Sequence, residues 1–413
     1  MVGRRPGHRF PPAPAATLVS STPSTTFEIG YCTNVHAGTD LPAIRNNLSR
    51  YAVAVRQKLD TQRLGVGLWI PDQASRELID GGLAEFREFL QTNQLTAFTI
   101  NGFPFANFHG ESVKQRVYLP TWQSRERLEY TERLATILAG LLDEDQSVGS
   151  ISTLPIGWPE NPFTAASGDR GNREQSGEHF RQLVKSLQQI EQDTGKRIVV
   201  AIEPEPGCLL DTVEDIVEFF DAELPEAAHR RYLTVCHDIC HSVVMNEPQR
   251  EVIERYGQAG IGIGKVQVSS AIVADWSEIP EERYADALTQ LGEFAEDRYL
   301  HQTGQLDASG TFRLANDLPE LLRETTPEQL ESARQWMIHF HVPIFLESLG
   351  YLSTSRNDVL ECLEAVRSAD AQLEFTGHLE VETYAWTVLP ESMRQRGLAD
   401  DIASELQWLT EQL

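Results

Sequence analysis

"LTVCHDICHSVV", residues Leu233–Val244, opens as an apolar run and then sets His237, Asp238 and His241 within five positions. An extended chain sends His237 and Asp238 to opposite faces. His241, three residues beyond Asp238, falls in the turn that follows, where it can fold back beside the carboxylate. The segment therefore reads as a buried strand whose C-terminal end carries polar chemistry before a helix begins. Taken singly, "DICH" has two readings: Asp238 as a helix N-cap with a surface histidine, or Asp238 and His241 as ligands.

The same pattern recurs on both sides. Apolar runs stand at 27–33 ("FEIGYCT"), 64–70, 96–102, 147–155, 198–206 ("IVVAIEPEP"), 232–240, 262–270 ("GIGKVQVSS") and 373–386 ("LEFTGHLEVETYAW"). Amphipathic stretches separate them. In "LPAIRNNLSRYAVAVRQKL", Ile44, Leu48, Ala52 and Val55 share one helical face. "DTVEDIVEFF" offers Asp211 as an N-cap. Eight strands each followed by a helix predict an α/β fold, a closed (β/α)8 TIM barrel. The rival, an open doubly wound sheet, calls for a phosphate-binding glycine turn after the first strand, and "YCTNVHAGTD" is not one. We expect a disordered N-terminal tail at 1–26 and a barrel domain at 27–413. A lid-like insertion at about 271–345 is expected after the seventh strand, on the active face. Within it "RYLHQTGQLDASGTFRL" reads as a hairpin turning at Asp307–Gly310, and "WMIHFHVPIF" as another strand.

The chain has 413 residues, 41% hydrophobic, and a net charge of −26. That is enough for a large core. A chain this acidic repels a phosphate backbone, so nucleic acid is excluded as a partner, and with it a nuclease role for the histidines. No stretch approaches the ~20 apolar residues of a membrane helix, so no direct membrane insertion is expected. Five scattered cysteines and the lack of an apolar core in the basic, Pro- and Ser-rich N-terminus suit a cytoplasmic protein better than a secreted one.

Polar residues cluster at the C-terminal ends of the runs. They are Asn34 and His36 on the first, Asn101 on the third, Glu203 and Glu205 on the fifth, Asp238 and His241 on the sixth, and Gln267 on the seventh. The insertion adds His339 and His341. The last strand adds His378, Glu380 and Glu382, which share one face. Carboxylates with an amide suit Mn or Mg; imidazoles move the preference toward Zn or Co. Acidic side chains gathered inside a barrel need a cation, or some must stay protonated.

In this order on successive strands, "IEPEPG", "DICH", "VQVS" and "EVET" resemble the xylose-isomerase-like TIM-barrel superfamily of sugar isomerases and epimerases. The resemblance implies a divalent metal cation held by Glu203, Asp238, Gln267 and Glu382. It further implies Glu203 and Glu382 as the catalytic acid/base pair. His36, His241, His339, His341, Glu205, Glu380 and Asn101 become further candidates for metal or substrate. The superfamily carries an imidazole where this chain has Gln267. More closely, "YCTNVHAG", "EPEPGCLLDT", "VCHDICH", "KVQVSSA", "HFHVPIF" and "HLEVETYAW" are similar to the EboE metabolite-traffic family of bacteria. That similarity implies a small-molecule metabolite as ligand and other Ebo proteins as partners, including a membrane prenyltransferase-like protein. Two functions follow: a metal-dependent isomerase- or epimerase-like enzyme of secondary metabolism acting on a small polyhydroxylated or cyclic precursor, or a non-catalytic carrier that keeps the barrel pocket.

Overall fold

A strand buried on both faces reads as a nearly continuous Val/Ile run, and "RIVVAI" and "IGKVQV" fold accordingly. The computed structural model describes residues 26–413 except 108, 160, 164–172, 369–372, 391–392 and 394–395. The expected N-terminal tail lies outside the described residues, apart from Thr26. Seven strands follow one another around a ring: β1 (Glu28–Cys32), β2 (Leu64–Trp69), β3 (Leu95–Asn101), β4 (Val148–Thr153), β5 (Arg197–Ile202), β6 (Leu233–Asp238) and β7 (Ile263–Val268). Six more form a separate sheet: β8 (Ile272–Asp275), β9 (Thr303–Asp307), β10 (Phe312–Ala315), β11 (Ala333–Ile338), β12 (Ser348–Leu349) and β13 (Leu352–Thr354). Then β14 (His378–Val381) pairs in parallel with both β7 and β1 and closes the barrel.

Helices cover the outside, each through an apolar stripe. The Arg125–Leu141 helix starts at a Ser124 cap and buries Leu128, Leu134 and Leu138. The Arg173–Thr194 helix buries Phe180, Leu183 and Leu187. In "DTVEDIVEFF" the cap is Thr212, not Asp211: the Thr212 hydroxyl accepts from Asp215 N at 3.2 Å, and the helix begins at Val213. The threonine wins because it sits at the residue where the chain turns from extended to helical backbone. No helix among the described residues is long and apolar enough to cross a membrane. All five cysteines are free and buried.

The sheet between β7 and β14 is antiparallel, in the order β10-β9-β11-β8-β13-β12. The β9–β10 hairpin turns over Ala308–Thr311, where Asp307 Oδ1 accepts from Ser309 N and Thr311 N, both at 2.9 Å. Because β13 pairs with β8, the inserted structure runs on to Thr354, beyond the expected end at about 345.

The barrel interior is polar in layers. Lowest, the Ser150 hydroxyl lies 2.8 Å from Thr99 Oγ1 and 2.8 Å from His378 Nδ1. Above it, Lys265 of β7 forms a fully buried ion pair with Glu380 of β14. Gly67 makes room for that carboxylate, since a Cβ there would lie 1.4 Å from Glu380 Oε1. The next layer up is the site.

Candidate metal centre

Three strand ends deliver three carboxylates. Glu203 follows β5 directly, Asp238 ends β6, and Glu382 follows β14 directly. One ligand oxygen from each lies within 4.8 Å of the other two. Register sets Gln267 beside both Asp238 and Glu380. All four side chains are buried.

Asp238 and Glu382 are each held through one oxygen. Asp238 Oδ1 accepts from His241 N at 3.0 Å and from the Ser269 hydroxyl at 2.7 Å, while Oδ2 is buried without a partner. The cap in the first reading of "DICH" is present, since one oxygen caps the helix Ile239–Val244 while the other faces the cluster, but His241 is buried and not a surface residue. Glu382 Oε1 accepts from Asn34 Nδ2 at 2.6 Å and Asn101 Nδ2 at 3.0 Å. Glu203 Oε2 and both polar atoms of the Gln267 side chain are buried and unpartnered. Such atoms are expensive to bury in isolation, and several of them on adjacent strand ends make a set of donors that fits a hard divalent cation.

The electrostatics agree. Burial first, then Glu382 and Asp238, push the Glu203 carboxyl well above its usual range. Burial, Asp238 and Glu380 push Glu382 up to about 8. Asp238 is buried too, but His241, His341 and its hydrogen bonds hold it below the usual value. Without a counter-charge, the cluster keeps protons on its glutamates.

Beside the carboxylates stand three imidazoles. His241 Nδ1 lies 2.8 Å from Pro204 O, His339 Nδ1 2.7 Å from Gln302 Oε1, and His341 Nδ1 2.7 Å from Glu382 O. Gln302 Nε2 donates to Pro206 O at 3.0 Å, which fixes that amide's orientation. Each acceptor is a carbonyl, so each Nδ1 carries the proton and each Nε2 of a neutral ring presents a lone pair. Burial lowers His339 well below the usual imidazole value and His341 to about 4, so both are neutral at pH 7. The Nε2 atoms of His241 and His339 are 3.2 Å apart, and His341 Nε2 is buried, unpartnered and 3.9 Å from Asp238 Oδ2. A carbonyl at each Nδ1 fixes ring and tautomer, the arrangement in which an imidazole offers Nε2 to a metal.

Other candidates land elsewhere. His36 turns away: its Nε2 lies 3.1 Å from the Tyr31 hydroxyl and its ring stacks on Tyr51 at 4.4 Å. The 3-10 turn Thr33–Val35 ends the strand early, so Asn34 rather than His36 meets the cluster. Glu380 lies one layer down, committed to Lys265. Glu205 joins His241 and His339 in a neighbouring group and accepts from the Tyr118 hydroxyl at 2.6 Å. Asn101 serves as a holder of Glu382. Sequence reasoning missed Lys265, Tyr118 and Gln302. Lys265 alternates with Gln267 in "KVQV", which places both on one face. Tyr118 and Gln302 lie in connections with no periodic signal. The cavity over the cluster encloses about 540 Å³, counting the part open to solvent, and is lined by both His339 and His341.

The profile of the xylose isomerase-like TIM barrel family matches residues 64–317. The chain belongs to that family. Among solved structures, a xylose isomerase-like TIM barrel protein from Mycobacterium smegmatis in complex with magnesium is similar in fold at a TM-score of 0.51. It shares 12% identity over 94% of this chain and 99% of its own. A probable 3-DHS dehydratase involved in petrobactin synthesis, from Bacillus anthracis, gives a TM-score of 0.45. It shares 14% identity over 93% of this chain and 98% of its own. No match was found among curated proteins. Family membership brings the barrel; the cluster of carboxylates and imidazoles that could hold a metal is read from this chain's own residues.

Proposed function

We propose that the protein is a divalent-metal-dependent, isomerase- or epimerase-like enzyme acting on a small polyhydroxylated or cyclic metabolite. The observation that carries this reading is the convergence of Glu203, Asp238 and Glu382 within 4.8 Å, with spare buried oxygens on Glu203 and Asp238. Glu203, Asp238, Gln267 and Glu382 would hold the ion. The imidazole group, His241, His339 and His341, offers nitrogen donors beside it and supports a choice of Zn or Co there over Mg or Mn. A bound cation would fix two adjacent substrate oxygens and stabilise negative charge developing on them.

The chain's own groups do the rest. Glu203 and Glu382 lie on strand ends with β6 and β7 between them, so a substrate carbon between them meets one carboxyl on each side. One carboxylate oxygen removes a proton from carbon and the other carboxyl returns it. Asn34 and Asn101 immobilise Oε1 of Glu382, which leaves Oε2 for that transfer. Tyr118 and Gln302 fix Glu205 at the cavity wall. The EboE-like motifs extend the proposal to traffic or processing of a secondary-metabolite precursor in the cytoplasm, alongside other Ebo proteins.

The test is solvent exchange at carbon. Metal-loaded protein is incubated in D2O with a panel of ketoses and cyclic hydroxyketones, and deuterium beside the carbonyl is followed by NMR. Incorporation lost in both Glu203→Gln and Glu382→Gln supports the enzyme. A second reading, a non-catalytic binder, draws on Gln267, an amide at the family's imidazole position. Saturable binding of the same compounds without any exchange would select it.

A further inference from the structure

We infer that the substrate of this site carries an anionic group, a carboxylate or a phosphate, which Lys114 recognises at the mouth of the cavity. The inference rests on the metal-dependent reading above and names the class of molecule that reading left open. Lys114 lines the cavity, and no other Lys or Arg among the described residues does. It opens the short 3-10 helix Lys114–Tyr118, whose other end supplies the Tyr118 hydroxyl to Glu205 at 2.6 Å. One short element therefore supplies both a lysine and a phenol to the lining of the cavity.

The placement is enforced. Lys114 has a φ of +33°, a backbone state that L side chains adopt only when their surroundings hold them there. Val113 N and Lys114 N both donate to Arg298 O, at 2.7 and 3.1 Å, which ties this loop to the segment before β9. The ammonium meets Asp317 Oδ2 at 2.7 Å, and the two side chains are 26% and 12% exposed. Asp317 is held independently, since its other oxygen accepts from His301 N at 3.1 Å. A solvent-reachable ion pair contributes little to stability, so Asp317 holds the ammonium weakly enough for a ligand anion to take its place. The adjoining wall, Phe103, Pro104, Val113, Val117 and Leu300, is apolar, and a charge contact gains strength in such surroundings. Substrate oxygens at the carboxylate-bound cation and an anionic tail at Lys114 would orient the molecule across the cavity.

The experiment uses metal-loaded full-length protein and calorimetric titration with fructose, gluconate and fructose 6-phosphate, a neutral, a carboxylate and a phosphate probe. At least one anionic probe should bind about tenfold or more tighter than fructose, the size of one charge-assisted hydrogen bond. Which of the two does so identifies the anion. Lys114→Met should erase that preference, Lys114→Arg should keep it, and Asp317→Asn should strengthen it by removing the competing carboxylate. Fructose affinity and metal stoichiometry should stay unchanged throughout. Equal affinity for neutral and anionic probes, no binding of either anion, or a preference that survives Lys114→Met would overturn the inference; survival would place the anion on the metal instead. Failure to bind metal in the unaltered protein is a separate result and refutes the underlying reading.

Discussion

Protein stripped of divalent ions by a chelator is expected to lose stability as pH rises from about 5 to about 8. The reason is the site itself. Unfolded, Glu382 ionises near the ordinary value of 4.5; folded, burial together with Asp238 and Glu380 pushes it up to about 8. The folded state therefore holds a proton that the unfolded state has released. Stability from this group is complete below about 4.5 and drains away as pH climbs through the folded value. At ~1.4 kcal/mol per tenfold change, the loss is about 3 kcal/mol by pH 7 and about 4 kcal/mol by pH 8. Glu203, also raised, acts in the same direction. Glu247 and Glu405, each pushed up to about 7 first by burial, add to the slope from elsewhere in the fold. The decisive quantity is the difference between the parent and Glu382→Gln, both chelated, in urea denaturation at a series of pH values. The parent should lose stability more steeply by several kcal/mol. Saturating metal should abolish that difference in slope, because a cation keeps both glutamates ionised, and metal affinity should rise with pH. Identical slopes for parent and variant, or stability that increases over this window, would refute the reasoning.

Lys265→Met should destabilise the protein by about 3–5 kcal/mol in urea denaturation, because it leaves the Glu380 charge buried alone, and Lys265→Met with Glu380→Gln should recover most of the loss. Gly67→Ala should cost about 3 kcal/mol or more, since its Cβ falls 1.4 Å from Glu380 Oε1 and forces that carboxylate out of the ion pair; a neutral melting curve contradicts this. His341→Ala should weaken Zn or Co binding about tenfold or more, while Mg binding changes little, as read by competitive titration against a metal-sensitive dye.

The barrel was legible because each of its strands is an apolar run that ends in polar residues, and because amphipathic helices separate the runs. The inserted sheet was only half legible. β9, β10 and β11 announce themselves through a hairpin and an apolar run, whereas Ile272–Asp275, Ser348–Leu349 and Leu352–Thr354 are too short to show a period. At the site, residue type and strand-end position were enough to pick out Glu203, Asp238 and Glu382. They were not enough for His36, because the strand gives way to a 3-10 turn before it. For Glu380 the face was right and the layer was not: alternation says inward, and only the three-dimensional register reveals Lys265 beneath Gln267. A lysine in a strand reads as an edge or a surface until its partner across the ring is known. Tyr118 and Gln302 come from connections far from Glu205 in sequence, and nothing short of the fold brings them to it.

The central claim is that three carboxylates share one cation. Anomalous scattering from crystals soaked in Zn, Co or Mn, with metal content measured on the same preparation, tests it most directly. A strong peak bounded by Glu203, Asp238 and Glu382 is expected in the parent, and its disappearance in a folded Glu382→Gln variant. A parent with no peak among these side chains, or a variant that keeps its full complement of metal, would contradict it.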